Sequence, residues 1–169
     1  STLASRLEII GTTISNNKAI RSIQGDARGG GLNVALAGNL HTIANTTISG
    51  NEADHLGGGI FVADHSANPG DQVPLEILNT TITNNKARFG AGLFLDGDLF
   101  SLVDSILLNN SDIINGGKRD LHTQTSAVTA SQSFGPLSGN GSSAGASNNL
   151  IHTIAESIST SKINPTNFQ

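Results

Sequence analysis

The segment Asn79-Thr-Thr-Ile-Thr-Asn-Asn-Lys-Ala87 decides the fold of this chain, because close copies of it recur. They are Gly11-Thr-Thr-Ile-Ser-Asn-Asn-Lys-Ala19, Asn45-Thr-Thr-Ile-Ser-Gly-Asn-Glu-Ala53 and a diverged copy, Val103-Asp-Ser-Ile-Leu-Leu-Asn-Asn-Ser111. The aligned isoleucines are Ile14, Ile48, Ile82 and Ile106, and an asparagine follows each by three residues at Asn17, Asn51, Asn85 and Asn109. Such self-similarity is the sequence signature of a chain built by stacking units.

A glycine block follows each of the first three copies: Gly29-Gly-Gly-Leu-Asn-Val34, Gly57-Gly-Gly-Ile-Phe-Val62 and Gly90-Ala-Gly-Leu-Phe-Leu95. The distance from the isoleucine to the first glycine is 15 residues in the first copy, 9 in the second and 8 in the third. Insertions therefore occur at different places, near 20–28 and 63–72. Loops between strands absorb such insertions, whereas a helical hairpin would lose its packing. We predict an all-β parallel solenoid of about four coils.

Alternation within the glycine blocks assigns their side chains to two faces. Strand side chains point to opposite faces with a period of two, so Leu32, Ile60 and Leu93 would fill the interior. Phe61 and Phe94 would then point outward, either as a possible contact face for a partner or, as we favour, covered by a long loop such as Ala63–Gln72. Stacked coils turn each repeated position into a ladder, and asparagine at a bend can bond to its counterparts in neighbouring coils.

The pattern weakens toward the C-terminus. We assign residues 1–125 to the coils with their inserted loops. Residues 126–169 are assigned to the same domain, as an irregular segment with a diverged last coil, a Gly/Ser-rich loop over 138–148 and a terminal part. Both ends of the sequence lack an obvious cap, so we expect a segment of a longer protein or assembly.

Composition excludes several classes of function. The net charge of −4 provides no basic footprint for nucleic acid, and no apolar run approaches a membrane span. The absence of cysteine excludes disulfides and thiolate metal sites. We expect neither a nucleic-acid partner nor a direct membrane span.

The repeats resemble the right-handed parallel β-helix surface proteins of bacteria, in the pectin-lyase-like superfamily. Gly57-Gly-Gly-Ile60 and Ile48-Ser-Gly-Asn51 are similar to the GGAI and FxxN repeats of polymorphic outer-membrane proteins, with isoleucine in place of phenylalanine. Asp104–Asn110, Asp120-Leu121 and Ser147–Ile151 resemble the C-terminal part of choice-of-anchor β-helix proteins. The resemblance implies a right-handed helix and a location outside the cell or on the bacterial outer surface.

The same resemblance raises polysaccharide cleavage, which needs clustered or paired carboxylates. The glycosidase signatures of the fold (Asn-Thr-Asp, Asp-Asp, Gly-His-Gly and Arg-Ile-Lys) are absent. The repeated tripeptides Ala53-Asp-His55 and Ala63-Asp-His65 make Asp54, His55, Asp64 and His65 weak candidates for a metal site. Asp96-Gly-Asp98 resembles part of a Ca²⁺ loop without its further ligands. We expect no catalytic residue and no cofactor, with Ca²⁺ as the open alternative.

We therefore predict a non-catalytic structural or adhesive module of a bacterial cell-surface or secreted protein, with other protein chains or surface glycans as partners. The alternative is a carbohydrate-active or carbohydrate-binding β-helix, and the question of enzyme activity stays open at this point. Fold alone does not determine function.

Overall fold

A computed structural model describes residues 6–22, 25–36, 40–64, 75–96, 100–114 and 120–123, and short strands within 133–151. The strands are β1 (Glu8–Ile10), β2 (Thr13–Ser15), β3 (Lys18–Ala19), β4 (Leu32–Leu36), β5 (His41–Ala44), β6 (Thr47–Ser49), β7 (Glu52–Ala53), β8 (Ile60–Asp64), β9 (Leu75–Leu78), β10 (Thr81–Thr83), β11 (Lys86–Ala87), β12 (Leu93–Asp96), β13 (Phe100–Val103), β14 (Ile106–Leu108), β15 (Ser111–Asp112), β16 (Leu121–Thr123), β17 (Ser133–Phe134), β18 (Ser138–Gly139), β19 (Gly145–Ser147) and β20 (Asn149–Ile151). The described residues contain no helix that could cross a membrane.

Four sheets share the strands, and the first sixteen strands of the chain enter them in rotation. Their orders are β1-β5-β9-β13-β19, β17-β20-β14-β10-β6-β2, β15-β11-β7-β3 and β18-β16-β12-β8-β4. Neighbouring strands within the sheets pair in parallel. We call β1–β4 coil 1, β5–β8 coil 2, β9–β12 coil 3 and β13–β16 coil 4. The prediction of an all-β fold with parallel pairing is confirmed, and the arrangement fits a parallel β-solenoid.

The hydrophobic core runs through all four coils along the repeat register. Ile14 pairs with Ile48 and Ile48 with Ile82. Ile60 stacks between Leu32 and Leu93 in another sheet. Full burial of one such side chain stabilises the fold by about 1.5–3 kcal/mol, so each ladder couples its coils.

The fourth repeat is shifted by one residue relative to the predicted alignment. Leu107, not Ile106, pairs with Ile82 and is fully buried, while Ile106 pairs with Thr81 and is 40% exposed. Asn109 likewise has a positive φ of 61° at a corner, as Asn84 does in coil 3, and Asn110 takes the ladder position. The assignments of Ile106 and Asn109 to the ladders were therefore wrong.

Three corners of the coil have left-handed backbone, and the one at Gly29, Gly57 and Gly90 carries only glycine. The other two also use asparagine, because asparagine and glycine tolerate this conformation best. One corner is formed by Gly11, Asn45, Asn79 and Asp104, and the other by Asn16, Gly50, Asn84 and Asn109. After the first corner, the hydroxyl groups of Thr46, Thr80 and Ser105 donate to the backbone carbonyl two residues earlier, at 2.8–2.9 Å. The Asn- and Thr-rich composition thus follows from the turn chemistry.

The segment after coil 4 differs in part from the prediction of a Gly/Ser-rich loop. β18 and β19 lie within residues 138–148, and β19 pairs with β13 while β20 pairs with β14. Residues 152–169 lie outside the described part of the chain. In the insertion near 63–72, Ala63 and Asp64 belong to β8, and 65–74 are outside the described residues.

Candidate functional site

A ladder of buried asparagine side chains connects the four coils. Asn51 receives hydrogen bonds from the backbone N–H and the side-chain Nδ2 of Asn17 on its Oδ1, at 3.0 and 3.1 Å. Asn85 receives the same pair from Asn51 at 2.9 and 3.0 Å, and Asn110 receives it from Asn85 at 3.0 and 2.9 Å. At the end, Asn110 donates both to Asp120 Oδ1, at 2.8 and 2.6 Å.

The second hydrogen of each amide points toward the preceding coil. Asn51 Nδ2 donates to Ile14 O, and Asn85 Nδ2 donates to Ile48 O, both at 3.0 Å. Asn85 is fully buried, as are Asn51 and Asn110. The amides of Asn51, Asn85 and Asn110 therefore use their oxygens and both hydrogens, which removes the cost of burying a polar group without partners.

The third glycine of each block leaves room for the ladder. A Cβ built on Gly59 would lie 3.0 Å from Asn85 Nδ2 and 2.5 Å from Gly92 O. A Cβ on Gly31 would lie 2.9 Å from Asn51 Nδ2. The glycine of one coil thus accommodates the asparagine of the next coil, which explains why the two motifs recur together.

The predicted contact face of Phe61 and Phe94 is covered. Both side chains are 1% exposed, and their rings stack with centroids 5.5 Å apart. Phe94 also stacks on His122, at 4.9 Å between centroids. Leu56 packs in the same cluster, on the outside of the sheet. Phe61 and Phe94 point away from the hydrophobic core as alternation requires, and of the two predicted arrangements the covered one is observed, so they do not form an open contact face.

A charged rim surrounds this cluster at the corner before the glycine block. The Arg28 guanidinium lies 5.1 Å from the centroid of the Phe61 ring, and that of Arg88 lies 5.5 Å from the Phe89 ring. His55 meets Phe89 edge-on at 5.8 Å. Cation–π contacts of this kind contribute about 0.5–1 kcal/mol each at exposed sites. Phe89 is half-buried and was not among the residues singled out from the sequence. It could have been found because it occupies the same position in the repeat as Leu56, with which it pairs.

Asp26 connects the rim to the insertion of coil 1. Its carboxylate lies 3.2 Å from His55 Nδ1, 3.4 Å from the Arg21 guanidinium and 3.8 Å from that of Arg28. The Arg21 backbone N–H donates to Asp54 Oδ2 at 2.9 Å. These contacts hold the inserted residues against coil 2.

The candidate metal ligands do not converge in the part that is described. Asp54 and His55 lie at a corner before β8, whereas Asp64 ends that five-residue strand. His65, the side chain of Asp64, and Asp98 of the Ca²⁺-like segment lie outside the described residues. Among those described, no group of three or more acidic or histidine side chains could hold a metal ion.

One outward column carries alternating charge. Lys18, Glu52 and Lys86 are neighbours in register, and Lys18 Nζ lies 2.7 Å from Glu52 Oε1. The hydrogen bond to Glu52, with its negative charge, raises the pKa of Lys18 above the ordinary 10.5. The pair is largely exposed to solvent, so it contributes little to stability.

Comparisons with protein-family models, curated proteins and solved structures found no match to the chain.

Proposed function

We propose that this chain is a non-catalytic structural or adhesive segment of a right-handed parallel β-helix, of the pectin-lyase-like kind. We place it on a bacterial cell surface or in a secreted protein, as part of a larger assembly with other chains or surface glycans as partners. The handedness and the location rest on the resemblance of the repeats.

The observation that carries the proposal is the asparagine ladder. The side chains of the most regularly repeated asparagines form hydrogen bonds that connect one coil to the next. The recurring glycines leave room for the same amides. A repeat whose distinctive residues serve coil stacking is what a scaffold requires, because each coil buries its interior only against its neighbours.

A polysaccharide cleavage assay tests the non-catalytic part. We expect the purified chain to release no new reducing ends or unsaturated sugars from a panel of neutral and acidic polysaccharides. Asp26→Asn and Asp54→Asn serve as comparison variants, since both carboxylates are at the surface near the charged rim. A cleavage activity that disappears in either variant while the circular dichroism spectrum is unchanged would overturn the proposal.

The second candidate function is carbohydrate binding at the charged rim. It is supported by the half-buried Phe89 ring between Arg88 and His55, because an aromatic ring beside hydrogen-bond donors can hold a sugar. An array of neutral and acidic oligosaccharides tests it, with Arg88→Ala as the rim variant and Arg6→Ala as the control outside the rim. Binding that is lost in Arg88→Ala and kept in Arg6→Ala would support this candidate, and absence of binding by the unchanged chain contradicts it.

A further inference from the structure

The surface of coil 1 that faces away from coil 2 exposes groups whose counterparts in coil 2 are buried. Ile48 and Asn51 have no exposed area, because coil 1 covers them. Their counterparts Ile14 and Asn17 are half-buried and exposed, respectively. Among the described strands, β1, β2, β3 and β4 are each the last of their sheet on this side. An edge strand offers unpaired backbone groups for pairing with another strand.

The hydrogen bonding of the asparagine ladder is also incomplete on this surface. Asn51 and Asn85 each donate one amide hydrogen forward along the ladder and the other back to the preceding coil. Asn17 donates only forward, to Asn51, among the contacts of the described residues. Its Oδ1 lies where Asn51 Oδ1 and Asn85 Oδ1 each accept two hydrogen bonds. Coil 1 therefore presents one acceptor and one donor in the geometry that coil 2 presents to coil 1.

The opposite end of the ladder is closed by Asp120. Asp120 O accepts from Leu93 N at 2.9 Å, just as Gly92 O accepts from Ile60 N, so Asp120 holds the register position of the third glycine. In the earlier coils that glycine leaves room for the asparagine of the next coil. The Asp120 side chain fills this room instead and accepts both hydrogen bonds of Asn110.

We propose that the exposed side of coil 1 is a docking surface for one further coil of this repeat, joined ahead of it and running in the same direction. The incoming coil supplies the N–H and amide donors for Asn17 Oδ1, a carbonyl for Asn17 Nδ2 and a glycine that leaves room for this amide. Because Asp120 ends the asparagine ladder in coil 4, the ladder can be extended by a further coil only at coil 1.

A second copy of the chain does not fit this surface. Stacked head to tail, its coil 4 would have to face Asn17, yet β18, β19 and β20 already pair with β16, β13 and β14 of that coil. The glycine position of coil 4 is also filled by the buried side chain of Asp120. Its Asn110 would have to donate to Asn17, yet both of those hydrogen bonds already go to Asp120. The surface therefore selects a coil with glycine at this position.

A fusion tests the proposal on the complete chain. A copy of residues 75–96 from coil 3 is placed ahead of Ser1, so that residues 1–6 become the connection to Leu7. The matched control carries Gly92→Asp in the added copy only, which reproduces the Asp120 arrangement and fills the space needed by Asn17. Amide hydrogen exchange of Lys18 is followed by NMR, because its counterpart Glu52 N is bonded to the preceding coil. Among the described residues, no strand pairs with β15 on the side beyond Asp120, so this sheet position distinguishes the fusion from the control.

We expect exchange at Lys18 to slow by at least tenfold in the fusion and to stay at the unfused rate in the control. Equal rates in the fusion and the control would overturn the proposal. So would light scattering that shows the unfused chain as a dimer in which the Lys18 amide is already protected, because the occupant would then be a second copy.

Discussion

Replacement of Asn85 by alanine tests whether the ladder stabilises the coils. Asn85 lies in the middle of the ladder with no exposed area, and its amide makes four hydrogen bonds. It accepts from the backbone N–H and Nδ2 of Asn51, and it donates to Ile48 O and to Asn110 Oδ1, all at 2.9–3.0 Å. The variant removes the amide while the backbone bond from Asn85 N to Asn110 is kept.

The expected loss follows from the groups left without a partner. Two donors of Asn51, its backbone N–H and one amide hydrogen, lose their acceptor inside the protein. An unsatisfied buried donor costs about 1–3 kcal/mol, so we expect Asn85→Ala to lower the free energy of unfolding by about 2–6 kcal/mol. This is a large fraction of the roughly 5–15 kcal/mol that stabilises a typical domain.

Urea unfolding followed by far-ultraviolet circular dichroism measures the effect, since the chain has neither tryptophan nor tyrosine. Asn84→Gly is the matched control. Asn84 is exposed with a φ of 56°, and glycine adopts this conformation freely, so we expect a change within about 0.5 kcal/mol. Equal unfolding midpoints for Asn85→Ala and Asn84→Gly would refute the stabilising role of the ladder.

Three further substitutions test the space left by Gly59, the packing of the Phe94 ring and the charge pairing of Lys18 with Glu52. Gly59→Ala is expected to cost about 1–3 kcal/mol or more in urea unfolding, because its Cβ would meet Gly92 O at 2.5 Å. A cost no greater than that of Gly25→Ala, whose Cβ would meet only Ser22 Oγ at 3.8 Å, would contradict this. Phe94→Ala is expected to cost about 3–5 kcal/mol in the same assay, since the ring is buried, and a loss below 1 kcal/mol would indicate a ring that contributes little. Glu52→Gln is expected to lower the pKa of Lys18 toward 10.5, measured by NMR titration of the Lys18 ε-methylene group. Because this pKa is raised on folding, the pair stabilises the fold below the unfolded-state pKa near 10.5, and this contribution is lost as the pH rises through the folded-state pKa. An unchanged pKa of Lys18 in the variant would argue against the pairing.

The repeat was sufficient to predict strands, parallel stacking and the inward columns of the first three coils. It was insufficient for the fourth coil, where Ile106 replaces a threonine and Asn109-Asn110 can be aligned in two ways. Nor could it decide between an open and a covered face at Phe61 and Phe94. Alternation determines the face to which a side chain points, whereas burial depends on what covers that face. Here Leu56 and Phe89 come from a different corner of the coil, which a period of two does not predict.

Asparagine has two separate uses in this chain, and the sequence itself distinguishes them. At the corners it provides left-handed backbone, and glycine replaces it freely there, at Gly11 and Gly50. In the ladder it provides one acceptor and two donors in a buried site, and no glycine occurs at Asn17, Asn51, Asn85 or Asn110. The segment Gly50-Asn51 shows both positions side by side: the corner position carries glycine instead of asparagine, whereas the ladder position keeps asparagine. Asp120 takes the place of the next asparagine in the ladder. Its carboxylate accepts the hydrogen bonds from the backbone N–H and Nδ2 of Asn110 and ends the series.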